Sequence, residues 1–264
     1  MIGKIIENTI IYFRQFVQTV PLYLEGYAFL KKHKPWRSMN NYGWTARALL
    51  LVSILLGIFL FKDALLAAKD VISQPSFFGA GISSFFSGLS FEKMDWALHG
   101  TKKYLVLIVL ELFTFHFIQR TLEIQVGRKP EYTFKAFMEA EKRMIKASIV
   151  AYILETITRI IANIFIGLFG LEYLLEKPVG LIIQFYFLGF IIIDNYYELF
   201  GFSLKESRKK MIKVGGIATA IGFITYFLMY IPLIGVVIAT MLGAVTATLA
   251  MQRYAPLEPS EELV

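Results

Sequence analysis

The chain has 264 residues, of which 56% are hydrophobic, 16% aromatic and 18% charged, with a net charge of +7; this exceeds what a soluble domain needs for its core and marks a membrane protein. With no cysteine, disulfides, thiolate metal sites and cysteine nucleophiles are excluded. The bases sit in short clusters beside apolar runs, not along a polar face, a pattern that fits the anionic surface of a membrane better than nucleic acid.

At the N-terminus Ile5, Ile6, Ile10, Phe13, Phe16, Val17 and Val20 recur at helical spacing against Lys4, Glu7, Arg14 and Gln18. That spacing predicts an amphipathic helix from about Lys4 to Leu30, lying in the membrane interface, with no cleavable signal pattern. Apolar runs follow at about 44 to 61, 104 to 118, 147 to 170, 179 to 193, 214 to 231 and 232 to 251. A clean span needs roughly 20 apolar residues, so the second run must extend through Leu98 or Thr121 to cross. The expected fold is all-α: a polytopic membrane bundle of about six apolar segments, some in hairpins that only partly penetrate. It forms one domain over 1–264, with the amphipathic helix and basic cytoplasmic approach in 1–43, the bundle in 44–253 and a short tail in 254–264. No period of 20 to 50 residues repeats.

Three base clusters set the orientation by the positive-inside rule. They are Lys31, Lys32, Lys34, Arg37 and Arg47; Arg120, Arg128, Lys129, Lys135, Lys142, Arg143 and Lys146; and Lys205, Arg208, Lys209, Lys210 and Lys213. All fall on the cytoplasmic side, which places both termini there. The third and fourth runs then form a hairpin whose outer turn is "LEYLLEKPVG", acidic on balance. The other outer loop, "SQPSFFGAGISSFFSGLS", touches lipid through Phe77, Phe78, Phe85 and Phe86.

Within the third run, Ser148, Tyr152, Glu155, Arg159 and Asn163 are three or four apart and share one helix face. Each charge alone costs about 2.5 to 3.5 kcal/mol at the bilayer centre, so Glu155 and Arg159 are expected to pair. Either they form a structural salt bridge or oligomer contact, or the stripe lines a hydrated path. Glu111, in the second run, is the more exposed anomaly, and Arg159 is its natural partner.

The fourth run ends in "FIIIDNYYELFGFSLKESRKKM", residues 190 to 211. Asp194 and Asn195 belong either to an interfacial turn among the belt tyrosines Tyr196 and Tyr197, or to the inside of the bundle. Ser203 and Glu206 have capping-box spacing and restart a helix. Asp194 and Glu198 are expected to anchor that helix through Arg208 or Lys209. The last hairpin carries no charge from 214 to 252, and Gly235, Ala239, Gly243 and Ala247 recur every four residues, a face on which another backbone packs closely. Its uncharged turn at Pro232 permits partial penetration.

This order of features resembles the bacterial CysZ sulfate permeases and the eukaryotic etoposide-induced 2.4 proteins. The correspondence runs through Asp194, Glu198, "FSLKES", Arg208 to Lys210, Gly215, Gly216, "YIPLIG" and "GAVTAT", over about 180 to 253. Upstream, "LEGYAFLKKHKPWRSMNNYGWTARALLL" looks like the family's amphipathic segment, Pro-containing basic turn and first long helix. Where the family tends to carry adjacent arginines after that Pro, this chain has Arg37 alone, with Lys34 before Pro35; its late-helix Pro is Thr240 here.

The resemblance implies permeation of a small oxyanion, sulfate above all, across the bacterial inner membrane. Arg37, Arg159, Glu155 and Glu111 would serve the anion, and Asp194, Glu198, Pro232, Gly235 and Gly243 would act in structure or gating. The expected partners are the anion, the bilayer and further copies of the chain, with no nucleic acid, cofactor or metal. The alternative is a non-transporting membrane scaffold or interaction protein, as the eukaryotic branch suggests. No enzyme motif is present, and His33, His99 and His116 are scattered; an intramembrane enzyme built on Glu111 and His116 ranks third.

Overall fold

A computed structural model describes residues 2–42, 51, 55, 111–127, 134–229, 231 and 235–257. Most of the first apolar run, the Phe-rich 73 to 90 loop and Pro232 lie outside them. The elements, in order, are α1 (Ile2–Thr19), α2 (Leu22–His33), a 3-10 helix (Pro35–Tyr42), α3 (Glu111–Val126), α4 (Phe134–Leu168), α5 (Glu172–Leu199), α6 (Leu204–Lys213), α7 (Gly215–Met229) and α8 (Gly235–Tyr254).

Among the described residues three helices are long and apolar enough to cross a membrane: α4 over Met138–Leu168, α5 and α8. The pair α6 and α7, bent by 96° at Val214, makes a fourth if read as one broken span. At 1.5 Å per residue α8 rises about 30 Å and α7 about 22 Å. The second therefore falls short of a hydrocarbon core of roughly 30 Å.

The core is the packing of α5, α7 and α8, with α4 laid on α5, α1 on α7, and α2 and α3 on α8. The α5/α7 contact is the most extensive, because both helices present glycine where they cross. A Cβ on Gly189 would run into the Ala218 carbonyl, and one on Gly222 into the Phe185 carbonyl. Small residues permit this approach in lipid, where packing replaces the hydrophobic drive. The small-residue face of α8 is used in the same way. Gly235, Ala239, Gly243 and Ala247 are all buried, and a Cβ on Gly243 would sit 2.7 Å from Thr225 Oγ1 of α7.

The N-terminal segment is two helices, where the periodicity predicts one. Pro21 has no N–H and its ring disfavours helical geometry at Val20, so the chain turns at Val20 and Pro21 before α2 begins. Helix α1 has three faces. Tyr12 donates to the Ile212 carbonyl (2.8 Å), and Gln15 donates to the Lys213 carbonyl (2.8 Å) while accepting from the Gly216 amide (3.0 Å), which fastens the helix across the α6/α7 bend. Ile6, Ile10, Phe13 and Val17 face outward and exposed, beside a polar edge of Glu7, Arg14 and Gln18.

The α4/α5 turn is also tighter than "LEYLLEKPVG" suggests. Gly170 takes φ +64 and closes α4 at residues 169–171, so α5 begins at Glu172 and Pro178 lies inside it.

Candidate functional site

Helices α4 and α5 run antiparallel, and the polar side chains of their shared seam fall into successive groups. From Arg143 to Asn163 the seam climbs about 30 Å by helical rise, the thickness of a bilayer core.

At the basic end, Arg143 donates from Nε to Asp194 Oδ2 and from Nη2 to Asp194 Oδ1, both at 3.1 Å. Its Nη1 donates to the Phe202 carbonyl, and Ser207 Oγ donates to Asp194 Oδ1. Glu198 Oε2 stands 3.5 Å from Arg143 Nε. Asp194 is 2% exposed, so it lies inside the bundle and not in an interfacial turn. The bidentate fork supplies both charge and direction.

Arg208 and Lys209 do not meet these acids. The capping box forms as the sequence predicts, with Ser203 N donating to Glu206 Oε2 (2.8 Å) and Glu206 N to Ser203 Oγ (3.4 Å). It starts α6 in a phase that turns Leu204, Ser207 and Met211 inward and leaves Arg208 and Lys209 exposed. The base that binds the acids comes instead from α4, 51 positions before Asp194.

About four fifths of the way along the seam, one turn before its far end, Arg159 Nη2 lies 3.3 Å from Glu155 Oε1 and donates to Gln184 Oε1 at 3.1 Å. Gly180 faces the guanidinium, and a Cβ there would come within 3.9 Å of Nη1. Glu155 is 5% exposed and Gln184 1%. Among the described residues, Arg159 Nε and Gln184 Nε2 are buried with no hydrogen-bond partner, as is Ser148 Oγ, about 16 Å back toward the basic end of α4 by helical rise. All three can donate. Buried donors without acceptors are costly, about 1 to 3 kcal/mol each, and they favour an incoming group rich in lone pairs. At the far end Asn163 Nδ2 donates to Glu176 Oε1 at 3.4 Å.

The other expected site residues are not drawn into the seam. Arg37 is exposed on the 3-10 helix, which packs on α3. His116 Nε2 sits 3.0 Å from the Pro35 carbonyl and 3.3 Å from Ser38 Oγ, which holds the 3-10 helix down. Glu111 opens α3, and its side chain and Pro232 lie outside the described residues. Gly235 and Gly243 serve helix packing.

Two residues of the seam escape the sequence reading. Gln184 carries the one carboxamide in the 179 to 193 apolar run, and that isolation was its signal. Arg143 is hidden in a run of cations. Only the small buried residues Ala140, Ala147 and Ala151 around it hint that this part of α4 faces protein.

No protein-family model, no curated protein and no solved structure matches the chain.

Proposed function

We propose that this chain is a multi-pass membrane protein through which a small oxyanion, sulfate by the resemblance of its C-terminal half, crosses the inner membrane along the α4/α5 seam. The observation that carries the reading is the pair of buried donors without acceptors among the described residues at Arg159, its Nε and Gln184 Nε2, with Ser148 Oγ a third on the way to the basic end. A tetrahedral oxyanion supplies several lone pairs, and a guanidinium held from one side by Glu155 and Gln184 keeps Nε for it. Arg143 marks the basic, cytoplasmic end of the route, where α2, α6 and α8 also end in bases. The three-faced α1 fits a helix lying in the interface, with protein, acyl chains and water each taking one face. Both termini then sit on the cytoplasmic side.

The test is flux of radiolabelled sulfate into liposomes holding the purified protein. Wild type should take up sulfate above protein-free liposomes, and Arg159→Lys should lower the rate about tenfold, because an ammonium does not reproduce the planar fork. Equal rates for the two proteins would make Arg159 a packing residue.

A second reading, a scaffold that does not transport, is favoured by a different face of α4. Ile149, Ile153, Ile157, Ile160, Ile164 and Phe165 are all exposed, a surface suited to acyl chains or to a second copy of the chain. Under this reading Glu155 neutralises Arg159 and wild-type liposomes take up no sulfate.

A further inference from the structure

The end of the bundle that carries the bases holds a cavity of about 530 Å³ that belongs neither to the α4/α5 seam nor to the core. Helix α2 supplies Glu25, Lys32 and His33 to its wall, α3 supplies Gln125, and α8 supplies Gln252 and Arg253. Its size lies within the range of ligand sites, roughly 300 to 1,000 Å³.

The charges in this wall do not cancel. Arg253 forks onto Glu25, Nη1 to Oε1 at 2.8 Å and Nη2 to Oε2 at 2.7 Å, so the one carboxylate among the described residues of the wall is already taken. Lys32 lies two turns further along the same face of α2, about 10 Å away by helical rise, and makes no ion pair among the described residues. His33 stacks on Phe29 with ring centroids 4.5 Å apart, which fixes the imidazole at the rim. Gln125 and Gln252 add carboxamide donors. The carbonyl ends of α2, α3 and α8 reach this end of the bundle, and the bases of the last turns, Lys31, Lys32 and Arg253, offset their partial negative charge. An excess of cationic and amide donors remains. On the neighbouring flank of α2, Leu24 and Tyr27 are exposed, which gives an apolar surface leading away from the cavity.

We propose that this cavity binds the phosphate of an anionic glycerophospholipid. Lys32 and His33 hold the phosphate, the two carboxamides donate to its oxygens, and the acyl chains run along Leu24 and Tyr27. Basic pockets between helices at the cytoplasmic face are where such headgroups bind. The same phosphate chemistry is available to free inorganic phosphate, which lacks the chains. The site stands apart from the oxyanion route and does not depend on it.

The test uses the full-length protein in neutral detergent, with its unfolding midpoint followed against three additives: dioctanoyl phosphatidylglycerol, dioctanoyl phosphatidylcholine and inorganic phosphate. Phosphatidylglycerol should raise the midpoint saturably and the other two should not. Lys32→Gln should weaken the apparent affinity about tenfold, the loss of one charged hydrogen bond. Lys31→Gln, the same charge change on the adjacent residue outside the cavity wall, should leave it unchanged. Gln125→Ala, at an exposed position, should also weaken binding, so a folding defect in one variant leaves the other to decide. Equal weakening by Lys31→Gln and Lys32→Gln, or equal stabilisation by phosphatidylcholine, overturns the site. Stabilisation by inorganic phosphate as strong as by the lipid overturns the lipid as its ligand.

Discussion

Arg143 and Arg159 stand on the same helix and face the same neighbour, yet their surroundings differ in kind. Arg143 has two carboxylates, a carbonyl and a bidentate geometry. Arg159 has one carboxylate, one amide oxygen and a buried Nε with nothing to bind. The difference teaches that two buried guanidiniums on one helix can differ in how fully the chain supplies their acceptors; the first is a clamp, and the second is the one that the proposed function reads as a receptor. The clamp joins α4, α5 and the start of α6; the receptor lies where a bound anion would complete the set.

The most damaging way to break the contrast is to remove the clamp. Arg143→Ala strands Asp194 and Glu198 without their cation, a loss of about 3 to 5 kcal/mol by analogy with other buried pairs. Little folded protein should survive size-exclusion chromatography, and Asp194→Asn should lower the yield less. A normal elution profile for Arg143→Ala would show that the clamp does not hold the bundle.

Substitution of the receptor should separate stability from flux. Arg159→Ala removes the cation beside Glu155 and the donor to Gln184, so both stability, by roughly 1 to 3 kcal/mol, and sulfate uptake should fall. Arg159→Lys should keep the midpoint while uptake drops. If the two variants lower the midpoint equally, charge alone does not account for the role of Arg159.

Gln184→Leu tests the smaller half of the receptor. It deletes a buried amide whose Nε2 has no acceptor among the described residues but whose Oε1 accepts from Arg159 Nη2, so one unsatisfied donor disappears while Arg159 loses an acceptor, and stability should change little or fall slightly. Uptake should fall several-fold, about 1 kcal/mol in the barrier. Uptake at the wild-type rate would confine Gln184 to packing against Arg159.

The smallest effect belongs to Glu25 and Arg253, a fork like that of Arg143 and Asp194 but in solvent. The hydrogen bonds from Arg253 hold the Glu25 carboxyl below the usual carboxylate range. Its contribution is therefore present above the ordinary pKa and is lost as pH falls through the lowered one. Exposed pairs contribute up to about 1 kcal/mol. Glu25→Gln should flatten part of the acid limb of a stability profile and leave the midpoint at neutral pH nearly unchanged. A large loss at neutral pH would mean that geometry outweighs burial, against the contrast drawn above.

The pairing of Glu155 with Arg159 and the Ser203/Glu206 capping box were legible in the sequence because both are local: spacing of three or four residues fixes who meets whom on a helix. The all-helical architecture was legible from apolar run lengths. What was not legible is long-range. Nothing near Asp194 points to Arg143, and nothing near Arg159 points to Gln184, because each depends on the register between two antiparallel helices. Pro21 was visible, but the outward apolar face of α1 ran past it and suggested one helix. The same limit applies to Gly189 and Gly222, whose meaning arises only where α5 and α7 cross.

The side chain of Gln15 sits across the α6/α7 bend, bonded to residues 198 and 201 positions further on, and Tyr12 reaches one 200 positions away. A ribosome making this chain therefore delivers α1 long before the segment it grips. Until Ile212 to Gly216 emerge, Tyr12 and Gln15 have only water or headgroups to bond. Long-range closures of this kind are slow and come late, so the docking of α1 is a seal on a nearly finished assembly. A nascent chain arrested before residue 212 would expose α1 to proteases that cannot reach it afterwards.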